Sequence, residues 1–111
     1  MVIRFWSARA GEVQSQAYLE HFQKVVLPKL RRTDGYVGAT ALTRRAGDEV
    51  EILLATAWQS LDAVRRFAGE DFEAAVVEEQ AAALLTDFDR QVRHFELAAT
   101  DVSVSSLLRW R

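Results

Sequence analysis

Four stretches of the chain are rich in apolar, β-branched and aromatic residues, which either alternate with polar residues or form continuous runs, as in β-strands. They cover residues 2–9, 36–45, 49–58 and 88–97. Turn residues separate them, with Asp34-Gly35 before the second strand and Ala46-Gly47-Asp48 as a hairpin loop between the second and third. The pattern therefore predicts four strands, of which the middle two form a hairpin.

Helical spacing occupies the intervals before and after that hairpin. From Glu12 to about Arg32 apolar residues recur every three or four positions, which predicts one amphipathic helix. Pro28 lies inside it and removes the amide donor to residue 24, so a kink is expected there. A second helix is predicted from Ser60, as its N-cap, to Gly69. Shorter helical pieces are predicted at 71–77 and 80–85.

The order β-α-β-β-α-β is typical of the ferredoxin-like α+β fold, a four-stranded antiparallel sheet with helices on one face. The strands nevertheless carry apolar residues at both even and odd positions, and thus on both faces of the sheet. In the third strand, Ile52 and Leu54 alternate with Leu53 and Ala55. Because helices cover one face only, the second apolar face is expected to be buried in a C2 homodimer whose sheets pack face to face. Trp6 is assigned to that interface.

Composition and charge narrow the classes of function. The 111 residues suit one domain, and a net charge of −2 without clustered basic residues argues against a nucleic-acid partner. The chain has no cysteine, which excludes disulfides, thiolate nucleophiles and cysteine-based zinc sites. Neither a signal peptide nor a membrane-spanning segment is recognised, so we expect no membrane partner and a cytoplasmic location.

Three stretches together resemble the antibiotic biosynthesis monooxygenase-like family of dimeric α/β barrels. They are VLPKLRRTDGYVGA at 26–39, DEVEILLATAWQSLDAVRRFAG at 48–69 and VRHFEL at 92–97. The most specific part is a W-x-S-x-x-A-φ-x-x-F run (φ apolar), formed by Trp58, Ser60, Ala63, Val64 and Phe67. The resemblance covers residues 1–98 as one domain. It leaves 99–111 as a C-terminal extension, either an arm onto the partner protomer or a frayed terminus.

The resemblance implies a cavity between sheet and helices in each protomer. The best-known members of this family oxygenate aromatic polyketides without metal or organic cofactor, or bind heme and degrade it. The heme-degrading branch uses an Asn on the first strand, a Trp on the second helix and a His that ligates iron. The matching positions here hold Ser7, Phe67 and Val76. Because valine cannot ligate iron, we expect no heme degradation by that mechanism and no bound cofactor.

Three residues are candidates for catalysis: His94, His21 and Ser7. His94 is either a general base or a strand histidine hydrogen-bonded at a dimer or sheet edge, and the second interpretation is preferred. His21 shares the first helix with Phe22 and is expected at a solvated position, with an inward orientation as the alternative. Ser7 occupies the strand position at which the family meets its ligand. Two histidines without an H-x-x-x-H spacing predict no metal site.

Aromatic residues supply the walls of a candidate substrate pocket. Each is also explained as core, but their clustering around one helix–sheet layer suits an aromatic-lined pocket; they are Phe5, Phe22, Trp58, Phe67 and Phe72. Two hypotheses follow. The first is a small dimeric monooxygenase that acts on an aromatic or quinol-type small molecule without metal or bound organic cofactor. The second is a non-catalytic ligand-binding or stress-related protein on the same barrel.

Overall fold

The elements follow one another in the predicted β-α-β-β-α-β order, with the helical regions and the last strand subdivided. The computed structural model describes residues 1–101. Its elements are β1 (Val2–Ala10), α1 (Glu12–His21), a π-helical turn (Phe22–Val26), α2 (Leu27–Arg31), β2 (Tyr36–Ala46), β3 (Glu49–Trp58), α3 (Leu61–Ala68), α4 (Glu79–Ala82), β4 (Asp87–Phe88) and β5 (Arg93–Glu96). Most of the predicted arm over 99–111 lies outside the described residues.

One antiparallel sheet is built around β1. Its strands lie in the order β2-β3-β1, and both β4 and β5 pair with the other side of β1. The β2–β3 hairpin turns at Gly47, whose φ of +67° suits a glycine. The sheet thus confirms the antiparallel ferredoxin-like α+β class, with the hairpin where the sequence predicts it.

The predicted fourth strand over 88–97 is wrong as a continuous strand, because it is interrupted between β4 and β5. In the sheet register, Ala8 pairs with Phe88 and Phe5 pairs with Arg93. The chain therefore advances five residues from Phe88 to Arg93 while β1 advances only three. The two additional residues fall in the segment 89–92. There the indole N–H of Trp6 donates to the carbonyl of Asp89 at 2.9 Å, which takes this carbonyl out of the strand ladder.

The first helical region extends over nearly the predicted range, and its irregularity precedes Pro28. In the π-helical turn, the N–H of Leu27 donates to the carbonyl of Phe22, five residues earlier. Pro28 then occupies the first turn of α2, where a missing N–H costs no helical hydrogen bond. The chain accommodates the proline by widening the preceding turn.

Helix α3 begins and ends as predicted. The Ser60 hydroxyl accepts a hydrogen bond from the N–H of Ala63 at 3.2 Å, and Gly69 ends the helix with a φ of +86°. The predicted helical piece at 80–85 is present in shorter form as α4.

The predicted helix over 71–77 is wrong, since this segment has a turn followed by extended backbone. Its carbonyls are used by other parts of the chain. Arg4 donates to the carbonyls of Phe72 and Ala74, and the N–H of Val92 donates to that of Glu73. A helix would need these same carbonyls for its own amides, so the long-range partners overrule the local propensity.

The two faces of the sheet differ in what covers them. The helix-covered face holds Val2, Trp6, Ile52, Leu54 and Trp58, each at most 8% exposed. The assignment of Trp6 to a dimer interface is therefore wrong, because its ring packs under the helices. The opposite, outer face carries Ile3, Phe5, Leu42, Leu53 and Phe95, and of these Leu42 and Phe95 are 51% and 47% exposed.

Candidate functional site

A cavity of about 340 Å³ lies between the sheet and the helical layer. This volume falls within the range of small-molecule sites in proteins, which runs from roughly 300 to 1,000 Å³. Its walls come from β1, β3, the helical region 12–31, α3 and the segment that follows α3. Four aromatic side chains line it: Trp6, Tyr18, Phe22 and Phe67. The site predicted between sheet and helices thus has an aromatic, largely apolar wall.

Strand β1 presents its even-numbered side chains to the cavity. Arg4 and Trp6 line it, whereas Phe5 and Ser7 point to the outer face, because successive residues of a strand alternate. Phe5 instead packs edge-on against Phe95, with ring centroids 5.6 Å apart. Two of the sequence-predicted site residues, Phe5 and Ser7, are therefore placed away from the cavity.

Arg4 is a functional candidate that the sequence analysis missed. Its side chain is only 5% exposed, and it makes three hydrogen bonds. Nη1 donates to the carbonyl of Phe72 at 2.5 Å and contacts Nε2 of His94 at 3.0 Å, and Nη2 donates to the carbonyl of Ala74 at 3.1 Å. Burial lowers the pKa of Arg4 to about 10, so the guanidinium is charged at neutral pH.

His94 lies beside Arg4 and not on the cavity wall. Because a guanidinium can only donate, Nε2 of His94 accepts from Arg4, and the imidazole is neutral with its proton on Nδ1. Burial, followed by the charge of Arg4, lowers the pKa of His94. The nitrogen lone pair that a general base would use is therefore already occupied. This geometry agrees with the preferred interpretation of a hydrogen-bonded strand histidine.

His21 ends α1 where the π-helical turn begins, and it lines the cavity. The prediction of a solvated helix position is wrong, and the inward orientation is the one observed. Its Nε2 atom is buried and has no hydrogen-bond partner among residues 1–101. Buried polar atoms are normally paired, so an unpaired nitrogen in a residue that lines a cavity is unusual. Turns with π-helical hydrogen bonding occur frequently at functional sites.

The remaining predicted pocket residues divide between the cavity and the layer behind it. Phe22 and Phe67 line the cavity. Trp58 is fully buried and stacks on the far side of Phe67, with ring centroids 5.5 Å apart. Phe72 packs against the ring of His94 at 5.6 Å. Trp58 and Phe72 thus support the site without facing it.

Comparison with known proteins finds similarity at the level of structure. No protein-family model matches the chain, and no curated protein does. Three solved structures match it over most of their length. They are a putative antibiotic biosynthesis monooxygenase from Bacillus cereus (TM-score 0.62, 15% identity, 92% of this chain and 97% of that one), the ActVA-Orf6 monooxygenase of Streptomyces coelicolor in complex with nanaomycin D (0.65, 14%, 92% and 91%), and SnoaB from Streptomyces nogalater, a cofactor-independent oxygenase (0.55, 17%, 92% and 98%).

The chain has the antibiotic biosynthesis monooxygenase fold. The resemblance inferred from the sequence is thereby confirmed for the fold, and the similarity extends over the sheet and its helical layer. Identities below 25% carry no residue roles, so the roles must come from the cavity of this chain.

The position that the sequence resemblance matches to the iron ligand of the heme-degrading branch cannot ligate iron in this chain. Val76, at the matched ligand position, lines the cavity and has no donor atom. Burial raises the pKa of Tyr18, so its hydroxyl stays protonated and is a poor iron ligand. His21 offers a nitrogen, but from α1 and not from the matched segment.

Two features are absent from residues 1–101. No group of three or more His, Cys, Asp and Glu side chains within that range is placed to hold a metal ion. In the same part of the chain, no helix is both long and apolar enough to cross a membrane.

Proposed function

We propose that this protein is a monooxygenase that oxidises an aromatic or quinol-type small molecule without metal or bound organic cofactor. The observation that carries the proposal is His21, which lines the aromatic cavity and whose buried Nε2 has no hydrogen-bond partner among residues 1–101. Histidine is the side chain that most often serves as general base. His21 takes this role in place of His94, whose Nε2 accepts from Arg4.

The chemistry requires a base and a water-poor cavity. Nε2 of His21 removes a proton from an activated CH₂ group of the substrate, which leaves an electron-rich carbanion or enolate. Dioxygen accepts electrons from it and bonds to that carbon as a peroxide. The O–O bond then breaks: one oxygen remains as a new C=O group and the other leaves as water. An apolar wall protects such intermediates from side reactions.

Two observations other than the histidine base support the proposed function. Trp6, Phe22 and Phe67 offer flat apolar surfaces on which fused rings can pack. Among the proteins of the same fold, one is a monooxygenase in complex with nanaomycin D and another is a cofactor-independent oxygenase. A small aromatic substrate handled without a cofactor is consistent with both.

The test is oxygen consumption with anthrone substrates, which carry an activated CH₂ group. We expect the unmodified protein to consume one dioxygen per quinone formed. His21→Ala should lower the rate at least tenfold, because general bases contribute roughly 10²–10⁴-fold. Ser7→Ala, on the outer face, should leave the rate unchanged.

Two results would overturn this proposal. One is full activity of His21→Ala. The other is a rise in melting temperature with these substrates and no oxygen uptake, which would favour the non-catalytic ligand-binding protein.

We further propose a homodimer formed by the outer face. Apolar side chains of four strands share this face, and Leu42 and Phe95 are about half exposed on it. Exposed apolar patches of this kind are typical of interaction sites, and a C2 axis would pair the face with itself. A cytoplasmic location and the lack of a nucleic-acid partner stay predictions.

Light scattering on a size-exclusion column measures this dimer directly. We expect twice the chain mass for the unmodified protein and the single-chain mass for a Leu42→Asp, Phe95→Asp double variant, because buried unpaired carboxylates oppose association. Val13→Asp adds a carboxylate to a position 72% exposed on α1 and should stay dimeric. A single-chain mass for the unmodified protein would refute the dimer.

A further inference from the structure

Arg4 is a buried cation whose described partners are all uncharged. Two of its hydrogen bonds end on backbone carbonyls and the third on a neutral imidazole. The nearest carboxylate influence is indirect, since Glu73 acts on the pKa of His94. Burying a charge is expensive unless an opposite charge accompanies it. Arg4 is also one of the residues that line the cavity, and its guanidinium lies 5.9 Å from the ring centroid of Phe67, which lines the cavity as well.

Hydrogen-bonding capacity remains on this guanidinium. An arginine has five N–H groups, and the hydrogen bonds to residues 1–101 use three of them. Nη1 donates to two partners and Nη2 donates to one. The N–H group of Nε and one N–H group of Nη2, which lie on the same edge of the guanidinium, are not used by these bonds. This edge of a guanidinium matches the two oxygens of a carboxylate or a pair of neighbouring ring oxygens.

The cavity lining holds more basic than acidic side chains, although the protein is acidic. Three basic side chains line it, Arg4, Lys29 and Arg66, against one acidic side chain, Glu78. Glu78 is already paired with Lys29 at 2.6 Å, and this contact lowers the pKa of its carboxyl. The net charge of the full chain is −2. Arg66 is paired with Asp34 at 3.8 Å, so Arg4 is the basic lining side chain that has no carboxylate partner among residues 1–101.

From these observations we propose that the cavity selects an organic anion as its ligand. This ligand is an aromatic ring system that carries an ionised oxygen, either in a ring enolate or in a carboxylate, and the ionised oxygen pairs with Arg4. This deepens the proposed function by naming the charge state of the substrate, and it rests on that proposal only in taking this cavity as the ligand site. The pairing holds the negative charge next to the ring that loses a proton to His21.

His94 is then a positioning residue. As a neutral acceptor it holds one Nη1 hydrogen and aligns the guanidinium without cancelling its charge. A carboxylate at the same place would neutralise Arg4 and remove the attraction for an anion. His94→Gln retains an acceptor and should keep the preference for anions, whereas His94→Glu should abolish it.

Two matched ligand pairs test the proposal by calorimetric titration at neutral pH. Naphthalene-2-carboxylate is compared with naphthalene-2-carboxamide, and ionised 2-hydroxy-1,4-naphthoquinone with its neutral 2-methoxy analogue. We expect the unmodified protein to bind at least one anion tenfold or more tightly than its neutral partner. The first pair reports a carboxylate and the second an enolate, so the results separate the two sources of charge.

Variants assign the preference to Arg4. Arg4→Gln should reduce the ratio within the favoured pair to about one, whereas Arg32→Gln, an exposed change of the same charge, should leave it intact. If Arg4→Gln fails to fold, the ratios for the unmodified protein and for His94→Glu still decide the matter. Equal affinities within both pairs would overturn the proposal.

The outcomes distinguish this inference from the proposed function. A preference for anions without oxygen uptake would leave the anion site standing and refute the monooxygenase. Oxygen uptake without such a preference would do the reverse.

Discussion

Replacing Trp58 with alanine is expected to lower the free energy of unfolding by about 3–5 kcal/mol. The side chain is fully buried at the end of β3, where it stacks on Phe67 and meets Tyr36 edge-on at 5.4 Å. Its indole N–H donates to the Thr56 hydroxyl at 2.8 Å. Alanine would leave a large void between sheet and helix α3, and a domain stable by roughly 5–15 kcal/mol tolerates this badly.

Urea denaturation followed by circular dichroism measures the loss. Trp58→Phe serves as the graded variant, because a phenyl ring keeps most of the stacking on Phe67 and loses the hydrogen bond to Thr56. It should unfold between Trp58→Ala and the unmodified protein. A loss below about 1 kcal/mol for Trp58→Ala would show that the indole is less tightly packed than described.

Gly35→Ala should destabilise the protein by about 2–5 kcal/mol, from roughly 1–2 for the backbone conformation and 1–3 for overpacking. Gly35 has a φ of +91°, and a Cβ built on it would lie 2.4 Å from Cβ of Ala63. Ala63 is fully buried in α3, and the Gly35 carbonyl accepts from the N–H of Gln59 at 2.8 Å. Neither Gly35 nor Ala63 can therefore move apart without a large cost in free energy.

Gly47→Ala is the matched control, since Gly47 also has a positive φ, of +67°, but no atom within 4 Å of the added Cβ. It should cost about 1–2 kcal/mol, the backbone component alone. The difference between the two variants then measures the contact with Ala63, and adding Ala63→Gly to Gly35→Ala should recover part of it. Equal losses for both glycines would contradict the close packing of the turn against α3.

The fold was predictable because its elements have strong local signals. Ser60 and Gly69 mark the ends of α3 through capping chemistry that depends on neighbouring residues only. The break in the last strand has no such signal. It depends on Trp6, more than eighty positions away in the sequence, whose indole N–H takes the carbonyl of Asp89.

The orientation of the first strand was the step that the sequence could not decide. Val2 and Trp6 are about as apolar as Ile3 and Phe5, so hydrophobicity does not select the face. A charge at Arg4 even argues against burial of its side. The structure buries it because the carbonyls of Phe72 and Ala74 come from a distant segment to accept its hydrogens. Arg4 was missed for this reason, whereas Ser7 was assigned to the site because it occupies the strand position at which the resembled family meets its ligand.

His21 was predicted in the site as one of two alternatives, and the π-helical turn explains why the alternatives stayed open. The π-helical turn at residues 22–26 interrupts the regular period of 3.6 residues. The spacing of apolar residues in α1 therefore does not continue in register into α2. Periodicity assigned His21 to solvent on the assumption of a continuous helix.

The same turn makes the cavity depend on a single surplus residue. Deleting one position within Phe22–Val26 would restore four-residue spacing to the amides around it, and the ring of Pro28 would then crowd the carbonyl four residues before it. The part before the deletion would also rotate by about 100° against the part that follows. His21 would turn away from the aromatic wall, and the cavity would lose the proposed base.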